Sequence, residues 1–325
     1  MTKWMADYDA ISPHHRYLSD EAVLVQAWKK STAYMRRHNW YADHLELDLS
    51  TICLQDRIRM WQEQLGGKNL LTYQPKAMRL VPAPKAAAWE FDKKWAPVDS
   101  EKSLRLRPLA HLSVRDQTAA TAVMICLADC VETLQGNPDI HTDAARAKGV
   151  VSYGNRLLCD WEDTEATFRW GNATTYRKYY TDYRRFLQRP TDVVKKLERR
   201  QRHKDRLAIV QLDLSAFYDR IKRSTLISRL RRHCNTHWPT DRQSARFWKA
   251  VHGIFDWRWS SHDKRVVKFY APDCVNDGLP QGLIASGLLA NAYMLQFDEH
   301  MKNLLRQRLP GQTWKVLDYC RYVDD

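Results

Sequence analysis

Three carboxylates stand at the ends of apolar runs in this chain: Asp213 follows LAIVQL, and Asp324 and Asp325 follow VLDYCRYV. A carboxylate at the end of a buried run is costly to desolvate unless it binds something. Two adjacent carboxylates repel and raise each other's pKa unless a cation neutralises them. Carboxylates that meet at strand ends suit a two-magnesium site, because hard Mg²⁺ takes oxygen ligands and shares its octahedron with substrate phosphates. Taken alone, Asp213 reads more commonly as a solvent-facing loop residue.

These groups must be held by regular elements. Apolar residues at helical spacing predict helices from Ser19 to Trp40 and from Asp48 to Leu65, the second stopped by Gly66-Gly67. LLTYQPKAMRLVPAPK (70–85) and LRLRPLAHL (104–112) lack that period and read as extended, with a long hairpin loop between them. Helices are predicted at Asp116–Leu134, Ser224–His233, Ser244–Phe255 and Leu283–Met301, with a loop around Ser152–Arg156. Leu207–Leu214 and Val316 onward read as strands that deliver Asp213 and the Asp324-Asp325 pair.

The net charge of +14 suits a polyanionic partner, and it is unevenly spread. Between Arg177 and Arg206 twelve Lys/Arg stand against four acids, interleaved with Tyr176, Tyr179, Tyr180, Tyr183 and Phe186. Cations can hold phosphates while the rings offer stacking faces, although a solvated helix face has the same composition. Apolar residues make up 44%, so disorder is not the expectation. The longest apolar stretch, AATAVMICLA, is about half of the roughly 20 residues a membrane span needs. No signal-peptide pattern opens the chain, and the expected location is the cytoplasm, with no membrane partner. Seven cysteines without a CxxC pair form no disulfide framework, and His233, Cys234 and His237 lack a second ligand pair for zinc.

The order of the short motifs is specific. DLSAFYD (213–219), GLPQGLIASGLLANAYM (278–294) and RYVDD (321–325) resemble motifs A, B and C of reverse transcriptases. TYQPKAMRLVPAPK and LRLRPLAHLSVRDQ resemble the two strands of that family's fingers hairpin, and SYGNR (152–156) resembles its next motif. The form of motif B is similar to that of group II intron-type enzymes and their prokaryotic relatives. NWYAD and ELD, before residue 49, resemble features of bacterial defence-associated members.

The resemblance implies an α+β fold: the fingers and palm of a right-hand polymerase, with an antiparallel palm sheet flanked by helices and no thumb in this chain. It divides the chain into an N-terminal helical extension (1–69), fingers with the basic segment (70–206) and a palm (207–325). It implies RNA-directed synthesis of DNA from dNTPs on an RNA template, starting from a primer hydroxyl of RNA, DNA or protein. Asp213 and Asp324 would hold two Mg²⁺ ions (Mn²⁺ being the alternative), assisted by Asp325 and the Leu214 carbonyl. Tyr218 would be the steric gate whose ring leaves no room for a ribose 2′-hydroxyl; a core aromatic is the alternative reading. Gln281 and Gly282 would meet the incoming nucleotide, and Arg107 and Lys85 would clamp its triphosphate or else be solvated hairpin charges. A non-coding RNA, a partner protein and self-association remain open as partners.

Three features depart from the family pattern. The segment between the fingers strands, Lys85 to Arg107, is long, and Gly287 stands where intron-type enzymes have proline. The sequence stops at Asp325, before the returning strand that motif C needs, so a fragment of a longer polymerase is expected. Two other classes carry part of the pattern. An RNA-dependent RNA polymerase shares the carboxylates but has Gly before the Asp pair and a polar residue at the gate. A catalytically silent relative would bind RNA or partners as a scaffold.

Overall fold

In the computed structural model of this protein, residue 8 and residues 10–66, 73–84, 89–91, 95–97, 106–199, 207–306 and 315–325 are described. A short helix α1 (His15–Leu18) precedes α2 (Glu21–His38), which starts where the Asp20 carboxylate accepts the Val23 N–H at 3.0 Å. The single helix expected from residue 48 to 65 is two, α3 (His44–Ile52) and α4 (Leu54–Gly66). Asp43 caps the first of them earlier than expected, and Cys53 leaves helical geometry between them.

Strand β1 (Arg79–Pro84) is followed by a small antiparallel pair, β2 (Trp89–Phe91) and β3 (Trp95–Pro97), and then by β4 (Leu106–His111). The two extended runs pair as expected: β1 and β4 are antiparallel, in register from Arg79↔His111 to Pro84↔Leu106.

Helix α5 (Val114–Gln135) is the centre of the fold. Ser113 caps it, and nearly every position along it is buried because its sequence is apolar or small on all faces. Two of its buried polar groups are paired with neighbouring segments: Thr121 shares a 2.8 Å hydrogen bond with Ser31, and Glu132 accepts from Arg156 at 2.8 Å with both side chains fully buried. Removing one partner of such a pair typically costs about 3–5 kcal/mol. Among the described residues this is the one helix long and apolar enough to cross a membrane, and it is 83% buried inside the protein.

Helix α6 (Thr142–Lys148) leads to the antiparallel hairpin β5 (Cys159–Glu162) and β6 (Glu165–Phe168), which packs on α5. Side chains of α5 fix that hairpin: Asp129 accepts the Phe168 N–H and Thr133 the Ala166 N–H. The loop after β6 is held from the other side by the fully buried Lys30 of α2. Its Nζ donates to the carbonyls of Arg169 (3.2 Å), Asn172 (2.5 Å) and Thr174 (3.1 Å) and lies 4.4 Å from the Phe168 ring centroid. Burial pulls the ammonium's pKa down to about 7.

The basic stretch forms helix α7 (Tyr179–Glu198). After it come a one-turn helix α8 (Phe217–Arg220), then α9 (Arg223–His237), α10 (Ala245–Ile254), α11 (Ser261–Tyr270) and α12 (Ser286–Arg306). One continuous hydrophobic cluster runs from Ile11 to Leu295, so the helices before residue 70 share their core with those after residue 207.

The chain is therefore α+β, mostly helical, with small antiparallel sheets. The expected strands 207–214 and 316–325 are a correction. Both segments are described, and neither forms a strand. A strand needs a ladder partner, and these segments share only one backbone bond, from the Leu214 N–H to the Asp324 carbonyl at 3.2 Å. Ile209, Val210 and Leu212 are 67, 77 and 70% exposed. The antiparallel palm sheet is thus not formed among the described residues.

Candidate active site

The RYVDD segment closes a tight turn. The Tyr322 N–H donates to the Asp325 carbonyl at 3.0 Å and the Asp325 N–H to the Tyr322 carbonyl at 3.2 Å, with Val323 and Asp324 at the tip. Val323 has φ +61°, a left-handed conformation that costs a β-branched residue roughly 1–3 kcal/mol and persists only where its surroundings impose it. Arg321 imposes it here. Its guanidinium pairs with Asp298 at 2.8 Å, donates to the Asn291 Oδ1 at 2.9 Å and reaches the Val323 carbonyl at 3.1 Å. The loop at 152–156 presses on the same turn. A Cβ on Gly154 would lie 2.7 Å from the Val323 backbone nitrogen, so only glycine allows that approach.

Asp213 comes alongside through the Leu214–Asp324 backbone bond. Burial raises the Asp324 pKa above the ordinary carboxylate range, and the charges of Asp325 and Asp213 raise it further, while Arg107 on β4 opposes the shift. Asp213, Asp324, Asp325 and Arg107 therefore share one electrostatic neighbourhood. Tyr218 belongs to it as well: burial raises its hydroxyl pKa, with the Asp324 charge as the next cause. Its Oη accepts from the Asn155 side-chain amide at 2.9 Å.

The residues of motif B dock on those of motif A. The Leu279 N–H donates to the Tyr218 carbonyl at 2.8 Å, and the Gln281 amide donates to Asp219 at 2.9 Å. The Ala110 N–H on β4 holds the Gln281 carbonyl at 2.7 Å, tying this turn to the β1–β4 hairpin. Asn291 links the remaining parts. Its amide donates to the carbonyls of Gly154 (2.8 Å) and Asn155 (3.1 Å), while its Oδ1 accepts from Arg321. A polar relay thus runs Asp298–Arg321–Asn291–Asn155–Tyr218 through all four segments.

Of the residues singled out in the sequence, Leu214, Asp324 and Asp325 are joined by backbone bonds and Gln281 is bonded to Asp219, next to Tyr218; Asp213 and Arg107 meet Asp324 through charge. Lys85 lies outside the described residues. Sequence reasoning passed over Asp219, Asn155, Asn291 and Arg321. All four lie inside the quoted motifs, and the buried Arg in RYVDD was the available signal, because an arginine amid apolar residues needs a carboxylate partner.

The basic segment divides its cations between paired and exposed ones. Several are already paired: Arg177 with Asp139 and Asp182, Arg185 with Asp139, the buried Arg189 with Asp318, and Lys196 with Asp143. Lys178, Arg184, Lys195 and Arg199 are exposed and make no ion pair among the described residues. Beside them Tyr179 is 74% exposed and Tyr180 52%. This aromatic face runs on to the RYVDD turn, where Tyr322 lies 5.1 Å from Tyr183 and 5.8 Å from Phe186 between ring centroids.

As a metal site the donor set is all oxygen, as Mg²⁺ requires, and the raised Asp324 pKa marks carboxylate charge that a cation would relieve. Among the described residues, however, no three His, Cys, Asp or Glu groups are already drawn into a metal-binding cluster. No protein-family model matches the chain, and no curated protein matches it significantly.

Proposed function

We propose that this chain is the fingers and palm of an RNA-directed DNA polymerase of the prokaryotic group II intron-like lineage, acting in bacterial antiphage defence. The observation that supports this reading is the backbone bond from Leu214 to Asp324, which joins two distant motifs whose charges act on one another and on Tyr218. The defence role rests on the NWYAD and ELD segments alone.

Asp213, Asp324, Asp325 and the Leu214 carbonyl would hold two divalent cations. When bound, these supply charge neutralisation for in-line attack of a primer 3′-hydroxyl on the dNTP α-phosphate. The protein's own part is placement. Arg107 sets a positive charge against the carboxylates where the triphosphate would lie. The Tyr218 ring, fixed by Asn155, occupies the space of a ribose 2′-hydroxyl. Gln281, anchored by Asp219, presents the turn that meets the nucleotide. Preorganised groups of this kind need no rearrangement as charge develops, which is where most catalytic stabilisation arises.

The test is primer extension on an RNA template with dNTPs and Mg²⁺. Asp213→Asn and Asp324→Asn should each abolish incorporation while folding survives, and near-normal incorporation by either would overturn the assignment. The second reading, an RNA-binding scaffold of the same fold, is favoured by the absence of a preformed three-carboxylate cluster among the described residues. It predicts salt-dependent RNA binding and no incorporation by the wild type.

A further inference from the structure

Residues before position 70 carry none of the polymerase motifs, yet two of them reach into motif B. Asn39 ends α2; its backbone N–H caps the Met35 carbonyl at 3.0 Å, and its carbonyl accepts the Ala42 N–H at 2.8 Å. That turn points the buried side chain at motif B, where its Nδ2 donates to the Gly282 carbonyl at 3.0 Å. The same carbonyl accepts the side-chain amide of Gln117 at 2.8 Å, and Gln117 Oε1 accepts the Ile284 N–H at 3.1 Å. Both lone pairs of the Gly282 oxygen are therefore occupied by amides from two different helices.

Tyr41 closes the other side. A Cβ at position 282 would lie 2.1 Å from the Tyr41 hydroxyl and 2.8 Å from the Ala110 carbonyl, and Gly282 has φ +119°. Space and backbone conformation both require glycine there. The Tyr41 hydroxyl approaches the Ala110 carbonyl at 3.5 Å, and the Ala110 N–H in turn holds Gln281. The peptide planes of 281 and 282 are thus fixed from outside the palm.

We infer that Asn39 and Tyr41 are positioning residues for the nucleotide-binding turn Gln281–Gly282, so that the N-terminal helical segment sets the affinity for the incoming dNTP. This rests on the polymerase reading. It goes beyond that reading by giving residues 39–41 a role in substrate affinity. A turn braced in its binding geometry does not lose freedom when the nucleotide arrives, whereas a loosened one must be ordered at the expense of affinity.

Asn39→Ala is the informative change, because Gln117 still holds the Gly282 oxygen and the fold is retained. In primer extension by the full chain, KM for dNTP should rise about tenfold, the effect of one lost buried amide bond, while kcat and KM for primer–template stay near wild type. Leu45→Ala, at a nearby residue that is 69% exposed, should change neither parameter. Hydrogen exchange gives a readout independent of activity: the Ile284 amide should exchange faster in Asn39→Ala, with exchange in β5 and β6 unchanged.

An unchanged dNTP KM, together with unchanged exchange at Ile284, overturns the inference while leaving the polymerase reading intact. Equal losses in every kinetic parameter with a lowered melting temperature also overturn it, reducing Asn39 to a packing residue. A full-length wild-type protein that incorporates no nucleotide overturns the polymerase reading, and this inference with it.

Discussion

The Asn155 amide and the Tyr218 hydroxyl meet at 2.9 Å, and Asn155 itself sits in the left-handed region at φ +51°. A loop residue held in an uncommon conformation thus fixes the ring proposed to exclude ribose. Tyr218→Ala should raise rNTP use relative to dNTP by at least about tenfold, roughly 1.4 kcal/mol in differential barrier. Tyr218→Phe keeps the ring but releases the anchor, so it should relax selectivity by a smaller factor. Asn155→Ala should match Tyr218→Phe, and the double variant should be no worse than either single, since both remove one bond. Single-nucleotide incorporation with each sugar at matched concentration measures all four. Unchanged selectivity in an active Tyr218→Ala variant would make Tyr218 a core aromatic.

Asp324 carries a sign-definite prediction. Its folded pKa is raised by burial first and by the neighbouring Asp325 and Asp213 charges next. A carboxyl raised on folding contributes stability that is complete below its unfolded pKa and is lost as pH rises through the folded value. Once ionised, the group is therefore destabilising, and a bound cation should offset it. Saturating Mg²⁺ at pH 7 should raise the melting temperature by roughly 2–5 °C. Asp324→Asn should be at least as stable as wild type without metal and should lose the Mg²⁺ response. Differential scanning fluorimetry with and without EDTA decides it.

Nucleic-acid affinity should divide the cations of the basic helix into two groups. Gln at Lys178, Arg184, Lys195 and Arg199 should flatten the slope of log affinity against log salt by up to about three units, since each released phosphate contact contributes about 0.7–0.9. Arg189→Gln should act differently, breaking a buried pair with Asp318 and lowering stability by about 3–5 kcal/mol. Fluorescence anisotropy across a salt series, with urea denaturation alongside, separates the two. An unchanged slope in the first set would assign the face to solvent.

Lys30 is a pH-dependent tie between α2 and the loop at 169–174. Its folded pKa of about 7 lies below the model-compound value of 10.5, with burial as the main cause. A base depressed on folding contributes stability that is complete above its unfolded pKa and is lost as pH falls through the folded one. From pH 10 to 7 the urea midpoint of wild type should therefore fall more steeply than that of Lys30→Met. At any pH the variant leaves three carbonyls without their donor, at a cost of at least about 1–3 kcal/mol.

The legible parts of the fold were those in which a local pattern decides the structure. The apolar spacing from Ser19, the apolar run of α5 and the two proline-bearing extended runs announced α2, α5 and the β1–β4 hairpin. The split between α3 and α4 was not announced, because a one-residue departure at Cys53 leaves the apolar spacing intact. Residues 207–214 misled for the opposite reason: their composition is that of a strand, but strand formation depends on a partner that sequence periodicity cannot supply. In the site, residue types named the carboxylates and the tyrosine. The contacts of Asn39 and Gln117 with Gly282 are long-range and were invisible, since each joins positions more than a hundred residues apart.

Residues 207–214 have a practical consequence for anyone who purifies this chain. Five apolar side chains, Leu207, Ile209, Val210, Leu212 and Leu214, are exposed beside a backbone whose N–H and C=O groups find almost no ladder among the described residues. Neither proline nor glycine interrupts the segment, and its carboxylate comes only at Asp213. Such an edge accepts any strand that approaches it, a second copy of itself included. In concentrated solution the protein should scatter light increasingly with time, and Val210→Lys, a single gatekeeper charge at the most exposed position, should hold it clear.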